Sequence, residues 1–254
     1  MPLDRRKFLQ LSAGSALVGV LPAATFAAHA KQAGFKAIAF DGFPIFDPRP
    51  IPALIESLFP GKGPKIWDAW RTRLFEYQWL RALSGHYVDF LQAAHDSLAF
   101  AATKMQLDLT PAKRERLLAA WTNLQVWPDA PGAIRELHNA GLRLSFLSNM
   151  TSEMLVGGLK NANLDGLFEA VISTDRIRSY KPAPEAYQLG VDTLQLNKEE
   201  VLFVAFAGWD VAGAKWFGYP TFWVNRLNSP REQLDTEADA TGADLSALVK
   251  FVLD

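Results

Sequence analysis

The chain contains no cysteine, which excludes disulfides and thiolate catalysis at once. Histidine is scarce: His29, His86, His95 and His138 are the only four. They show no metal-ligand spacing and read as solvated or structural residues. An excess of either charge is missing too. Lys and Arg total 26 against 27 Asp and Glu, a formal net charge of −1. With no basic stripe and no recognition motif, nucleic acid is excluded as a partner. The chain also lacks internal repeats and low-complexity runs. Beyond the first thirty residues, no stretch is long and apolar enough to span a bilayer.

The first thirty residues stand out. Asp4-Arg5-Arg6-Lys7-Phe8-Leu9 places paired arginines ahead of an Ala/Gly/Ser-rich apolar stretch running to Ala28, and Ala28-His29-Ala30 offers a small-residue cleavage site. This pattern predicts a twin-arginine signal over residues 1–30, read by the Tat export machinery and removed in the periplasm. A membrane anchor is the alternative, but Gly, Ser and Pro22 make the stretch a poor one. Its loss removes three basic residues and one acid, leaving 23 basic against 26 acidic residues and a net charge of −3. The absence of cysteine suits an oxidising compartment.

The remaining length, in a chain that is 49% hydrophobic, fits one core with an inserted subdomain. Short apolar runs bounded by turn residues fall at Ala37–Phe40, Leu144–Leu147, Ala170–Ser173, Leu202–Phe206 and Thr221–Val224. They read as parallel strands buried on both faces. Helical stretches alternate with all but the first pair, where about a hundred mostly helical residues intervene. Within them Ile66, Trp67, Trp70, Leu74 and Tyr77 recur at helical spacing. Gly85 closes that helix, and Thr110-Pro111 opens another with a cap and an N1 proline. Trp127-Pro128 marks the return to the core. The predicted plan is a core of 31–47 with 128–254 and a helical insert at 48–127.

Polar groups follow the apolar runs in a fixed order: Phe40-Asp41, then Ser148-Asn149, then Tyr180-Lys181-Pro182, then Trp209-Asp210. Groups at the carboxyl ends of neighbouring parallel strands converge on one crevice, which predicts an enzyme. Each residue has a plainer alternative. Asp41 could cap the next turn, Ser148 and Asn149 could cap a helix from Thr151 onward, and Lys181 could lie on the surface. Arg71 could snorkel over apolar surface, and Tyr187 could be a core aromatic. Arg81 lies nearer the centre of the helical stripe than Arg71, so periodicity alone does not select Arg71.

These stretches, with Phe46-Asp47, Trp70-Arg71, Glu76 through Arg81 and Trp209 through Ala214, resemble the haloacid dehalogenase superfamily and, within it, the (S)-2-haloacid dehalogenases (type II). The likeness runs from about Phe35 to Arg226. It implies a Rossmann-like α/β core, a parallel sheet flanked by helices, with the helical insert acting as a cap. It implies hydrolytic dehalogenation of short (S)-2-haloalkanoates to (R)-2-hydroxyalkanoates through an aspartyl ester. In that scheme Asp41 is the nucleophile and Lys181 pairs with it. Asp210 positions Lys181 or activates water, and Arg71 attracts halide and carboxylate. Ser148 binds the substrate carboxylate, Asn149 meets the departing halide, and Tyr187 contacts carboxylate or nucleophile. Phe75 and Trp209 line the apolar pocket. No metal or other cofactor is implied; a homodimer is.

The pattern also breaks. Superfamily phosphatases carry a second acid two residues after the nucleophile, where this chain has Phe43, and a metal-binding Asp where it has Ala205 to Gly208, so magnesium lacks hard ligands. The dehalogenase pattern itself loses a Ser and an Asn to Ala205 and Ala207. Three readings therefore stand: a dehalogenase, an exported relative with altered ligand or little turnover, and a phosphatase.

Overall fold

A computed structural model describes residues 34–254. The leader segment at 1–30 lies outside the described residues. Six strands form one parallel sheet: β1 (Ala37–Phe40), β4 (Arg143–Ser148), β5 (Ala170–Ser173), β6 (Val201–Ala205), β7 (Thr221–Val224) and β8 (Ala240–Gly242), in the spatial order β5-β4-β1-β6-β7-β8. Every residue of β1, β6 and β7 is buried, which explains the unbroken apolar runs: helices cover both faces. Alternate side chains divide between two cores. Ile38, Phe40, Phe146 and Val204 face one, while Ala37, Ala39, Leu147 and Phe203 face the other.

Four helices, α1 (Pro50–Leu58), α2 (Gly63–Ser84), α3 (Phe90–Lys104) and α4 (Pro111–Thr122), form the insert. The chain leaves and re-enters the core through two short strands, β2 (Phe46–Asp47) and β3 (Gln125–Val126), paired antiparallel. Ile66, Trp70 and Leu74 of α2 are fully buried at i, i+4 spacing and join the same apolar core as Phe40 and Phe146. The stripe continues through Gln78 rather than Tyr77: Gln78 is fully buried, whereas Tyr77 is half-buried against Phe100. A polar residue thus occupies the inward position one turn beyond Leu74. Gly85 closes α2 in the left-handed region, φ 69°, where glycine pays no steric penalty. Thr110 caps α4 by accepting from Lys113 N–H.

The core helices are α5 (Ala130–Asn139), α6 (Ser152–Asn161), α7 (Pro184–Leu194), α8 (Gly208–Phe217) and α9 (Leu245–Leu253). Thr151 caps α6 through Met154 N–H, so Ser148 and Asn149 are left for other work. β1 has β4 on one side and β6 on the other, both continuing away from it. The carboxyl end of β1 is therefore the switch point of the sheet, where such folds open a crevice. No helix of the described residues is long and apolar enough to cross a membrane.

Candidate active site

Asp41 is the first residue after β1 and sits at that switch point. The loop carrying it is held rigidly. Phe43 N–H donates to Asp41 Oδ2 at 3.2 Å, and Trp127 Nε1–H donates to Phe43 O at 2.9 Å. Arg226 donates to Pro44 O at 2.9 Å while pairing with Asp129. A Cβ on Gly42 would collide with Met150 Sδ, so any larger residue there would force the buried Met150 side chain to move. Trp127 and Arg226 carry no chemistry-bearing motif, and sequence gave no sign of their task.

Lys181 is completely buried. Its Nζ lies 3.0 Å from Asp41 Oδ1 and 2.6 Å from Asp210 Oδ2. Burial alone would lower the ammonium pKa, but the charges of Asp210 and Asp41 outweigh it and raise it. Asp210 lies in the first turn of α8, where the helix dipole favours a carboxylate. Burial is nonetheless the largest influence and pushes its pKa up to about 6, against the opposing pull of Lys181. Asp41, Lys181 and Asp210 thus form one buried charged trio.

The remaining residues divide by distance. Ser148 Oγ donates to Asp41 Oδ1 at 3.2 Å and accepts from Met150 N–H, so its one proton points at the nucleophile rather than at open space. The Asn149 amide is fully engaged. It donates to Gln78 Oε1 and Lys181 O, and accepts from Lys181 N–H and Thr174 Oγ1. A halide contact through Nδ2, expected from the resemblance, would displace one of these bonds; in the structure Asn149 fixes the backbone of Lys181. Tyr187 also departs from expectation. It is fully buried away from the cavity, and its hydroxyl donates to Asp210 Oδ1 at 2.7 Å. That contact braces Asp210 and leaves no hydroxyl for substrate. Gln78, missed in the sequence, carries the link from the insert to Asn149; a polar residue continuing a buried apolar stripe was the available signal.

Asp41, Ser148 and Asn149 open into a cavity of about 370 Å3, also lined by Arg71, Phe75, Trp79 and Trp209. The Trp209 ring lies 5.5 Å from both Phe75 and Trp79. Arg71 is the only cation lining the cavity among the described residues, and it is half-exposed, its contact with Asp68 long at 3.4 Å. Arg81 instead pairs with Asp96 at 2.7 Å and does not line the cavity.

The family profile for haloacid dehalogenase-like hydrolases matches residues 16–218. The chain belongs to the haloacid dehalogenase-like hydrolases. It is 37% identical to haloacetate dehalogenase H-2 of Moraxella sp. (strain B), over 85% of this chain and 97% of that one. It is 35% identical to the (S)-2-haloacid dehalogenase of Pseudomonas sp. (strain YL), over 85% and 94% respectively. The L-2-haloacid dehalogenase of Xanthobacter autotrophicus, solved with chloropropionic acid covalently bound, superposes with a TM-score of 0.78 at 32% identity, covering 86% of this chain and 98% of that one.

Ala205-Phe206-Ala207 offers only apolar side chains, with Phe206 and Ala207 lining the cavity. Both Asp210 oxygens are already taken by Lys181 and Tyr187. As pH falls through about 6, Asp210 gains a proton and Lys181 loses one of its two counter-charges. Turnover is therefore expected to fall on the acid side with a limb near that pH, measured as halide release against pH. A rate that stays flat down to about pH 5 would mean that turnover does not need ionised Asp210.

Proposed function

We propose that the chain hydrolyses short (S)-2-haloalkanoates to (R)-2-hydroxyalkanoates through an ester on Asp41. The observation that carries this is the division of labour on one carboxylate. Oδ1 is fixed by Lys181 and Ser148, whereas Oδ2 accepts only Phe43 N–H and keeps lone-pair capacity beside the cavity. Oδ2 attacks the substrate Cα from the side opposite the halogen. The C–O bond forms as the carbon–halogen bond breaks, and the halide leaves with the electron pair. Arg71 attracts the substrate carboxylate, and Phe75 and Trp209 enclose the halogen and the carbon that bears it. Water then adds to the ester carbonyl, the hydroxy acid departs with inverted configuration, and the Asp41 carboxylate is restored. Splitting one hydrolysis into two displacements is the advantage of a covalent route.

Chloride release from separated 2-chloropropionate enantiomers tests the proposal. The (S)-acid is expected to turn over and the (R)-acid to remain intact, with Asp41→Ala lowering the rate by roughly 10⁴-fold or more. Equal rates for both enantiomers, or an active Asp41→Ala variant, would defeat it. The phosphatase alternative is disfavoured by Phe43 and by the full occupation of Asp210.

The same proposal includes export. Arg5-Arg6 and the apolar stretch behind them support a periplasmic protein delivered by the twin-arginine pathway. Replacing both arginines with lysine is expected to leave the precursor in the cytoplasm on fractionation; unchanged periplasmic recovery would refute it.

A further inference from the structure

The chemistry proposed above gives no task to a second group of aromatic side chains in the cavity lining. One aromatic group of the lining is Phe75, Trp209 and Trp79, and the same cavity holds Asp41 and Ser148. A second aromatic wall is built around Trp121 of α4. Its ring meets Phe90 of α3 at 5.1 Å, Trp67 of α2 at 5.9 Å and Phe43 at 6.2 Å. All four of these residues line the cavity, and Trp67 is only half-buried. At about 370 Å3 the space falls in the range that encloses drug-sized ligands, roughly 300–1,000 Å3. A two- or three-carbon acid held at Asp41 leaves most of it to water. Phe90 and Trp121 are already covered, at 1% and 2% exposure, so Trp67 supplies the open aromatic surface, which an apolar ring can cover in offset or edge-to-face contact.

We propose that the cavity takes 2-haloacids whose Cα carries a benzyl-sized apolar group, the ring lying against Trp67, Phe90 and Trp121 while Cα sits beside Asp41. This rests on the dehalogenase reading of Asp41. The insert therefore sets substrate size: three of the wall residues come from three different cap helices, whereas the nucleophile and its partners come from the core. Closing the cap over a ring would bury both the ligand and the bare face of Trp67.

Two measurements on the full-length protein test this. Bromide release from (S)-2-bromo-3-phenylpropanoate is expected to exceed that from (S)-2-bromopropanoate by on the order of tenfold in kcat/KM, since even one methylene in an apolar pocket is worth about that much. Trp67→Ala should shrink the ratio mainly by raising KM for the phenyl substrate. Quenching of tryptophan fluorescence by 3-phenylpropanoate and by propanoate, neither of which can be turned over, reads the pocket alone. The phenyl acid is expected to bind at least about tenfold tighter. Equal or better turnover of 2-bromopropanoate would overturn the size assignment while leaving the dehalogenase standing. Tighter binding of 3-phenylpropanoate with no bromide from either substrate would keep the aromatic pocket and remove the dehalogenase. Equal binding of the two halogen-free acids would overturn the pocket directly.

Discussion

Replacing Lys181 with methionine is expected to abolish halide release and to destabilise the fold by roughly 3–5 kcal/mol near neutral pH, the range for removing one partner from a buried ion pair. Lys181 is wholly buried and serves two carboxylates, Asp41 at 3.0 Å and Asp210 at 2.6 Å. Methionine fills similar volume, so packing over Phe203 is largely kept, and the loss isolates the charge. Two facing carboxylates without their cation would hold protons more tightly in the folded chain than in the unfolded one. Groups whose acid pKa is raised by folding add stability as pH falls. The variant should therefore recover part of its deficit at about pH 5 relative to pH 8, whereas the cost of a simple cavity would not change with pH. Urea unfolding at both values reads the difference. A variant as stable as the parent at the higher pH, or a deficit independent of pH, would show that the trio is not held by its charges.

Much of this trio is legible in the sequence because each member follows a strand or opens a helix beside the switch point. Parallel strands buried on both faces write themselves as unbroken apolar runs, so five of the six sheet strands could be placed within a residue. The sixth, Ala240-Thr241-Gly242, lies at the sheet edge with Thr241 exposed. It has no run to announce it. The two-residue strands framing the insert escape for the same reason, their pairing being set by the partner strand rather than by their own composition. Within the site, residue types were readable but directions were not. Tyr187 could face substrate or core on sequence grounds; its place on α7 behind Asp210 decides for the core. Asn149 loses its free hydrogens to Gln78 and to the Lys181 backbone, contacts that join the insert to the sheet and have no local signature. Arg71 and Arg81 differ by less than three helical turns, and only the packing of α2 against the core brings one of them to the cavity.

The oxygen of the first product molecule is expected to come from the protein. If Oδ2 of Asp41 displaces the halide, that atom becomes the ester oxygen bonded to Cα and leaves with the hydroxy acid when water attacks the carbonyl. With enzyme in excess over (S)-2-chloropropionate in heavy-oxygen water, the first product should be unlabelled and Asp41 should carry the label. Later turnovers should release labelled product. The apolar end of β6 sharpens this expectation: the side chains of Ala205 and Ala207 offer no hydrogen bond to a water, and both Asp210 oxygens are occupied. Hydrolysis should then be the slow half. The ester should accumulate on Asp41, visible as added mass on a peptide containing it after acid quench, and Ala207→Asn should speed its release. Label in the first product would mean direct attack of water on Cα, which would take the nucleophile's role from Asp41 and make its carboxylate, or that of Asp210, the base.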